Sequence, residues 1–169
     1  MKSVRRIFFR FFANRYLARR GKIPADELKQ RTLNFIRRFQ EKAQNLTQEQ
    51  LDARLNEEEW SAGEVTYHAV HSVKSIFRNC EKLRKDEDVP SMERAAMGRT
   101  KSVSREDLIE LCNQVYGLAE QMDFTASSKK KTAHPLLGPG DFRRWLVINM
   151  VHLERHYKQL LKPASLPAQ

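Results

Sequence analysis

Residues 60–84 read WSAGEVTYHAVHSVKSIFRNCEKLR, and the start of this stretch punctuates a helix. Ser61 followed by Glu64 is a capping box: the serine oxygen accepts from the amide of residue 64, and the glutamate reaches back to the serine amide. Trp60 and Val65 flank it as a hydrophobic staple. From there Val65, His68, Ser72, Ile76, Cys80 and Leu83 recur at helical spacing, so the helix predicted over 61–84 buries one stripe. That stripe includes a histidine.

Three further segments share this period. Residues 25–46 place Leu28, Thr32, Phe35, Phe39 and Leu46 on one face, with Arg37, Lys42 and Gln44 opposite. Ser104 caps a helix reaching about residue 122, with Leu108, Leu111, Val115, Leu118 and Met122 inward. Over 141–161, Phe142, Trp145, Asn149, His152, His156 and Leu160 form one seam. Between these helices, 86–103 carries Pro90, Gly98 and mixed charges without period, a loop with a partly helical stretch at 92–97. Residues 127–131 read as a polar linker, and HPLLGPGD, residues 134–141, as a turn. The expected architecture is all-α: an antiparallel four-helix bundle over 23–162, with connections long enough for a crossover. A basic aromatic segment over 1–22 precedes it and a short tail over 163–169 follows.

A chain of 169 residues with this composition forms one domain and buries a working core without cross-links. Cys80 and Cys112 lie inside helical patterns without C-x-x-C spacing, which points to reduced thiols, packed as small apolar groups, in a cytosolic compartment. No uncharged apolar run is long enough to span a bilayer. Glycine-rich phosphate loops are absent, so nucleotide chemistry has no support.

The pairing of WSAGEVTYH with HLERH, residues 152–156, carries the chemistry. Residues four apart on a helix lie one above the other, so His152 and His156 can share one ion while His68 supplies a third nitrogen from another helix. Zinc, nickel and ferrous iron accept neutral imidazole, and three nitrogens leave a position for water or substrate. A water bound there would lose a proton near neutral pH. The alternative is three core histidines, each bonded to a nearby carbonyl or side chain.

The tryptophan, serine, glutamate and histidine of WSAGEVTYH, the HPLLG turn and the ending HLERHYKQL together resemble the DinB/YfiT-like superfamily of metal-dependent enzymes, over about residues 25–162. The resemblance implies a four-helix bundle holding a divalent metal by His68 from the second helix and His152 and His156 from the fourth. It further implies a small-molecule substrate, a reaction such as hydrolysis or the transfer or isomerisation that uses a low-molecular-weight thiol such as bacillithiol or mycothiol, and a homodimer. In a thiol transferase the metal would lower the pKa of the incoming thiol. Arg155 or Arg78 would then attract a carboxylate on it.

Other side chains surround this centre. Asn149, one turn before His152, is an inward amide that needs a partner and suits a position behind a ligand; Glu64 could serve His68 likewise, although the cap already explains it. His71, His134 and Trp145 are candidates for the pocket wall, with a surface role as the alternative for His71 and turn packing for His134. The sequence names no general base. No Ser/His/Asp order stands out.

Residues 1–20 contain Lys2, Arg5, Arg6, Arg10, Arg15, Arg19 and Arg20 and no acid; removing those seven charges from the net +10 leaves +3 for the other 149 residues. The body therefore does not advertise a nucleic-acid protein. Val4, Ile7, Phe8 and Phe11 fall at helical spacing in this segment. Three uses are open: an amphipathic helix on an anionic membrane, a nucleic-acid contact with stacked aromatics, or packing of Phe8, Phe11 and Phe12 on the bundle or across a dimer. The segment is Arg-rich and acid-free like a mitochondrial transit peptide, but it makes a poor secretory signal, and the expected location is cytoplasmic or peripheral to a membrane. Against the enzyme stands a non-enzymatic helical module that binds through this segment.

Overall fold

The structure is a computed structural model that describes residues 2–54, 56–90 and 103–161, with side chains described from residue 11 onward. The partly helical stretch expected at 92–97 and the tail at 163–169 lie outside the described residues. Among the described residues six helices and one hairpin follow one another: α1 (Lys2–Arg20), α2 (Ala25–Asn45), α3 (Gln48–Asp52), α4 (Ala62–Arg84), α5 (Arg105–Gln121), β1 (Thr132–His134), β2 (Gly138–Gly140) and α6 (Phe142–Leu160).

Three of the long helices, α4, α5 and α6, begin at a side-chain cap, whereas α2 starts after Pro24 without one. Ser61 accepts from the amide of Glu64 at 3.2 Å while Glu64 accepts from the amide of Ser61 at 2.8 Å, which starts α4. Ser104 and Asp141 accept from the amides of Asp107 and Arg144, which starts α5 and α6. Lys29 of α2 donates to the carbonyls of Glu120 and Met122, satisfying groups that the end of α5 leaves open.

Packing orders α2, α4, α5 and α6 around a square. Both α2 and α4 pack extensively on α5 and on α6, while α2 and α4 face each other across the diagonal. Helices consecutive along this part of the chain are therefore not always neighbours: the α2–α4 connection, which contains α3, crosses the bundle. The core is the buried face of all four, with Leu28, Ile36, Phe39, Phe77, Leu108, Val115, Leu146 and Met150 at its centre. Where α3 meets α4 the backbones come close, since a side chain at Gly63 would lie 3.1 Å from the Leu51 carbonyl oxygen.

Two features add to the expected bundle. The 134–141 turn is the far half of an antiparallel hairpin in which His134 pairs with Gly138 and Thr132 with Gly140. Gly138 takes φ 80°, the left-handed conformation that closes the loop. The basic segment is the helix α1, whose last turns lie on the bundle: Leu17 is buried, Arg144 donates to Asn14 at 2.6 Å, and Arg20 pairs with Glu154 at 3.2 Å. Phe11 and Phe12 are exposed, so within one chain they do not pack on the bundle as one reading expected. Among the described residues no helix is long and apolar enough to cross a membrane.

Candidate metal centre

His68 stands two turns into α4, and His152 and His156 stand one turn apart in the second half of α6. Because α4 and α6 are neighbours, the three rings meet: their centroids are 5.2 Å apart for His68 and His152, 4.9 Å for His68 and His156, and 4.5 Å for His152 and His156. One nitrogen from each ring lies within 4.8 Å of the other two. Neutral nitrogens at this spacing suit a small divalent ion after modest adjustment of the side chains.

Burial decides their charge. The pKa of His68 is lowered to about 4, first by burial and then by the neighbouring His156 and His71. His152 is pushed well below the ordinary imidazole value by burial and then by the other two rings, and burial lowers His156 as well. Each shift favours the neutral ring, the form in which imidazole binds metal.

The surroundings sort the ring nitrogens. Nδ1 of His156 lies 3.0 Å from Oε1 of Gln159. An amide oxygen only accepts, so Nδ1 carries the proton and Nε2 keeps its lone pair. Among the described residues Nε2 of His152 is buried with no hydrogen-bond partner, and both polar atoms of the Asn149 amide share that condition. Buried polar atoms are nearly always satisfied, so orphans one turn apart at a cluster of imidazoles fit a group bound there. The edge of Trp60 meets His68 at 5.0 Å and 87°, covering one side of that ring.

The remaining candidates are placed as follows. Glu64 accepts from the Ser61 amide and pairs with Arg54 at 2.7 Å, so its carboxylate serves the helix start and a cross-loop ion pair. His71 is exposed and stacks on Tyr67 at 5.1 Å, outside the cluster. His134 accepts from the amides of Leu136 and Leu137 through Nδ1 and lies 5.5 Å from the Trp145 ring, where it shapes the hairpin. Trp145 is buried and donates from Nε1 to the Gly140 carbonyl at 3.1 Å, pinning β2 to α6. Arg155 is exposed on α6 beside the ligating pair, whereas Arg78 lines a separate groove with Phe77, Glu81 and Met122. Sequence reasoning missed Gln159 and Arg54. Gln159 had a signal, an amide one turn beyond a candidate ligand; Arg54 had none, because a loop brings it to Glu64.

The sequence profile of the DinB superfamily matches residues 26–160, which takes in α4, α6 and all three histidines. In fold the chain is similar to YfiT from Bacillus subtilis, at 15% identity and a TM-score of 0.56, with 80% of this chain and 82% of that chain covered. YfiT is described as a probable metal-dependent hydrolase with an unusual four-helix bundle topology. No curated protein matches the sequence. With the profile spanning the whole bundle and the fold shared with YfiT, this chain belongs to the DinB superfamily.

Proposed function

We propose that this protein is a divalent-metal-dependent enzyme acting on a small molecule, with His68, His152 and His156 holding the ion. One observation carries the reading: three imidazoles meet between two helices, and one of them keeps a buried Nε2 that has no hydrogen-bond partner among the described residues. Membership of the DinB superfamily and the likeness to YfiT support it. The all-nitrogen donor set suits zinc, nickel or ferrous iron. Such an ion supplies Lewis acidity, lowering the pKa of water or a thiol at its open position.

The chain's own residues prepare that position. Gln159 holds His156 in one tautomer, Trp60 shields one side of His68, and Asn149 offers an amide one turn from His152 that can orient a ligand or support the ring. The nucleophile is not a cysteine of this protein: Cys80 and Cys112 are buried, and burial pushes the Cys112 thiol up to about 12 and the Cys80 thiol higher still. It is therefore water, giving a hydrolase, or a low-molecular-weight thiol, giving a transferase. Arg155, exposed on α6 beside the pair, would attract a carboxylate on such a thiol.

The test uses chelator-stripped protein reloaded in turn with zinc, nickel and ferrous iron. Each form is assayed on activated esters and amides in water, then on an electrophilic acceptor with added thiol. Turnover that requires metal and vanishes in His152→Ala supports the reading, and acceleration by thiol assigns the transferase. Equal turnover by the stripped protein or by His152→Ala contradicts it.

A further inference from the structure

Among the described residues four large hydrophobic side chains are exposed, and three of them, Phe11 at 60%, Phe12 at 63% and Tyr16 at 42%, lie on α1. Their exposure does not come from a helix without anchorage. Its last turns are fixed by buried Leu17, by Arg144 donating to Asn14, and by the Arg20–Glu154 pair; just beyond, Arg143 donates to the Ile23 carbonyl. With Leu17 turned inward, the opposite face turns out. Phe11, Phe12, Arg15 and Arg19 lie at helical spacing along it, and all four are exposed. The helix carries seven basic residues and no acidic one.

We propose that α1 is a docking helix for the surface of an anionic phospholipid bilayer, with Phe11, Phe12 and Tyr16 entering the headgroup region and the flanking arginines meeting lipid phosphates. Charge complementarity argues for an anionic partner, and the aromatic face argues for one that also offers an apolar layer. The headgroup boundary supplies both, and aromatic rings with a polar or wet margin partition there. Nucleic acid fits less well. A duplex offers phosphates but no apolar layer, single strands are held in grooves that follow the backbone, and the rest of the chain adds only +3 to such a track. A second copy fits less well again, because a symmetric contact through α1 would bring two acid-free basic helices together. Nor would this helix span: its face is apolar on one side only, and it is too charged to cross.

The experiment is co-sedimentation of the full chain with vesicles of phosphatidylcholine, with and without about one third phosphatidylglycerol, at low and high salt. The Phe11→Glu/Phe12→Glu variant is run beside it; both side chains are exposed, so its circular dichroism and melting temperature should match wild type. Phe11→Ala/Phe12→Ala serves as a second, milder variant. The proposal expects binding to anionic vesicles at least about tenfold tighter than to neutral ones, weakening with salt, and at least about tenfold loss in either variant. A Phe11→Trp protein should show a blue-shifted emission on anionic vesicles only. No binding overturns the proposal, and so does binding that both variants retain. Tighter binding to a labelled single-stranded or duplex oligonucleotide, lost in the variants, overturns it in favour of nucleic acid. A wild-type dimer that becomes monomeric in the variants, with no vesicle binding, overturns it in favour of self-association.

Discussion

Over its first half, α4 buries Glu64, Thr66 and His68 among small and apolar side chains, whereas its second half buries Val73, Ile76, Phe77, Cys80 and Leu83 and nothing polar. Both halves belong to one continuous helix and contribute to one core. The second half shows what this chain does where stability alone is at stake: apolar side chains at helical spacing, each removing surface from water. In the first half buried polar groups must be matched or they cost stability. Glu64 is matched by the cap and by Arg54, while His68 instead faces two more imidazoles. A helix that can fill its core with apolar groups and yet buries titratable ones beside each other is the contrast on which the proposed metal site rests.

If the halves are separable, damage to one should leave the other's property intact. Phe77→Ala should have the largest effect on the fold, a loss of about 3 to 5 kcal/mol in chemical denaturation, because Phe77 is among the most buried large side chains. Metal uptake per folded chain should stay at the wild-type value. Loss of metal from the folded fraction would show that the two halves act as one unit.

Gln159→Leu acts on the other side of the comparison. Removing the group that holds the His156 tautomer should weaken metal affinity by about ten- to a hundredfold in a competition titration, with the metal-free melting temperature little changed. Unaltered affinity would mean that the His156–Gln159 hydrogen bond only tidies the surface.

A further effect is on pH dependence. The folded pKa of His68, about 4, lies below the unfolded value near 6.5, so between these limits the unfolded chain binds a proton that the folded chain refuses. Stability of the metal-free protein is therefore fully present above about pH 6.5 and falls as pH drops toward 4. Urea denaturation at several pH values should show this slope reduced in His68→Gln. An equal slope in the variant would place the proton uptake elsewhere.

Much of the bundle could be read from periodicity and caps. The stretch from Ser61 carries its own start signal, and α4 runs Ala62–Arg84, close to the expected 61–84. The helical stripes also placed His68, His152 and His156 inward. Periodicity says which face is buried but not which helix covers it, so the diagonal placement of α2 and α4 had no signature. The hairpin strands are three residues each, too short for alternation to register, and Gly138, Pro139 and Gly140 read as turn. Helix α3 is only five residues long, and its cap, Thr47 with Gln50, lacks a following apolar run to draw attention to it. For α1, spacing aligned the phenylalanines but could not say whether they turned inward. That depended on Leu17, Asn14 and Arg20, which take the bundle side.

The central claim is that α4 and α6 together bind one ion through three imidazoles. Its most direct test is titration of chelator-stripped protein with zinc, read by competition with a chromogenic chelator and by X-ray absorption, beside His152→Ala. One tightly held ion per chain with three histidine nitrogens in its coordination sphere is the expected result, with loss of tight binding in the variant. A wild-type protein that takes up no zinc, nickel or ferrous iron, or a His152→Ala protein that binds as tightly as wild type, would contradict it.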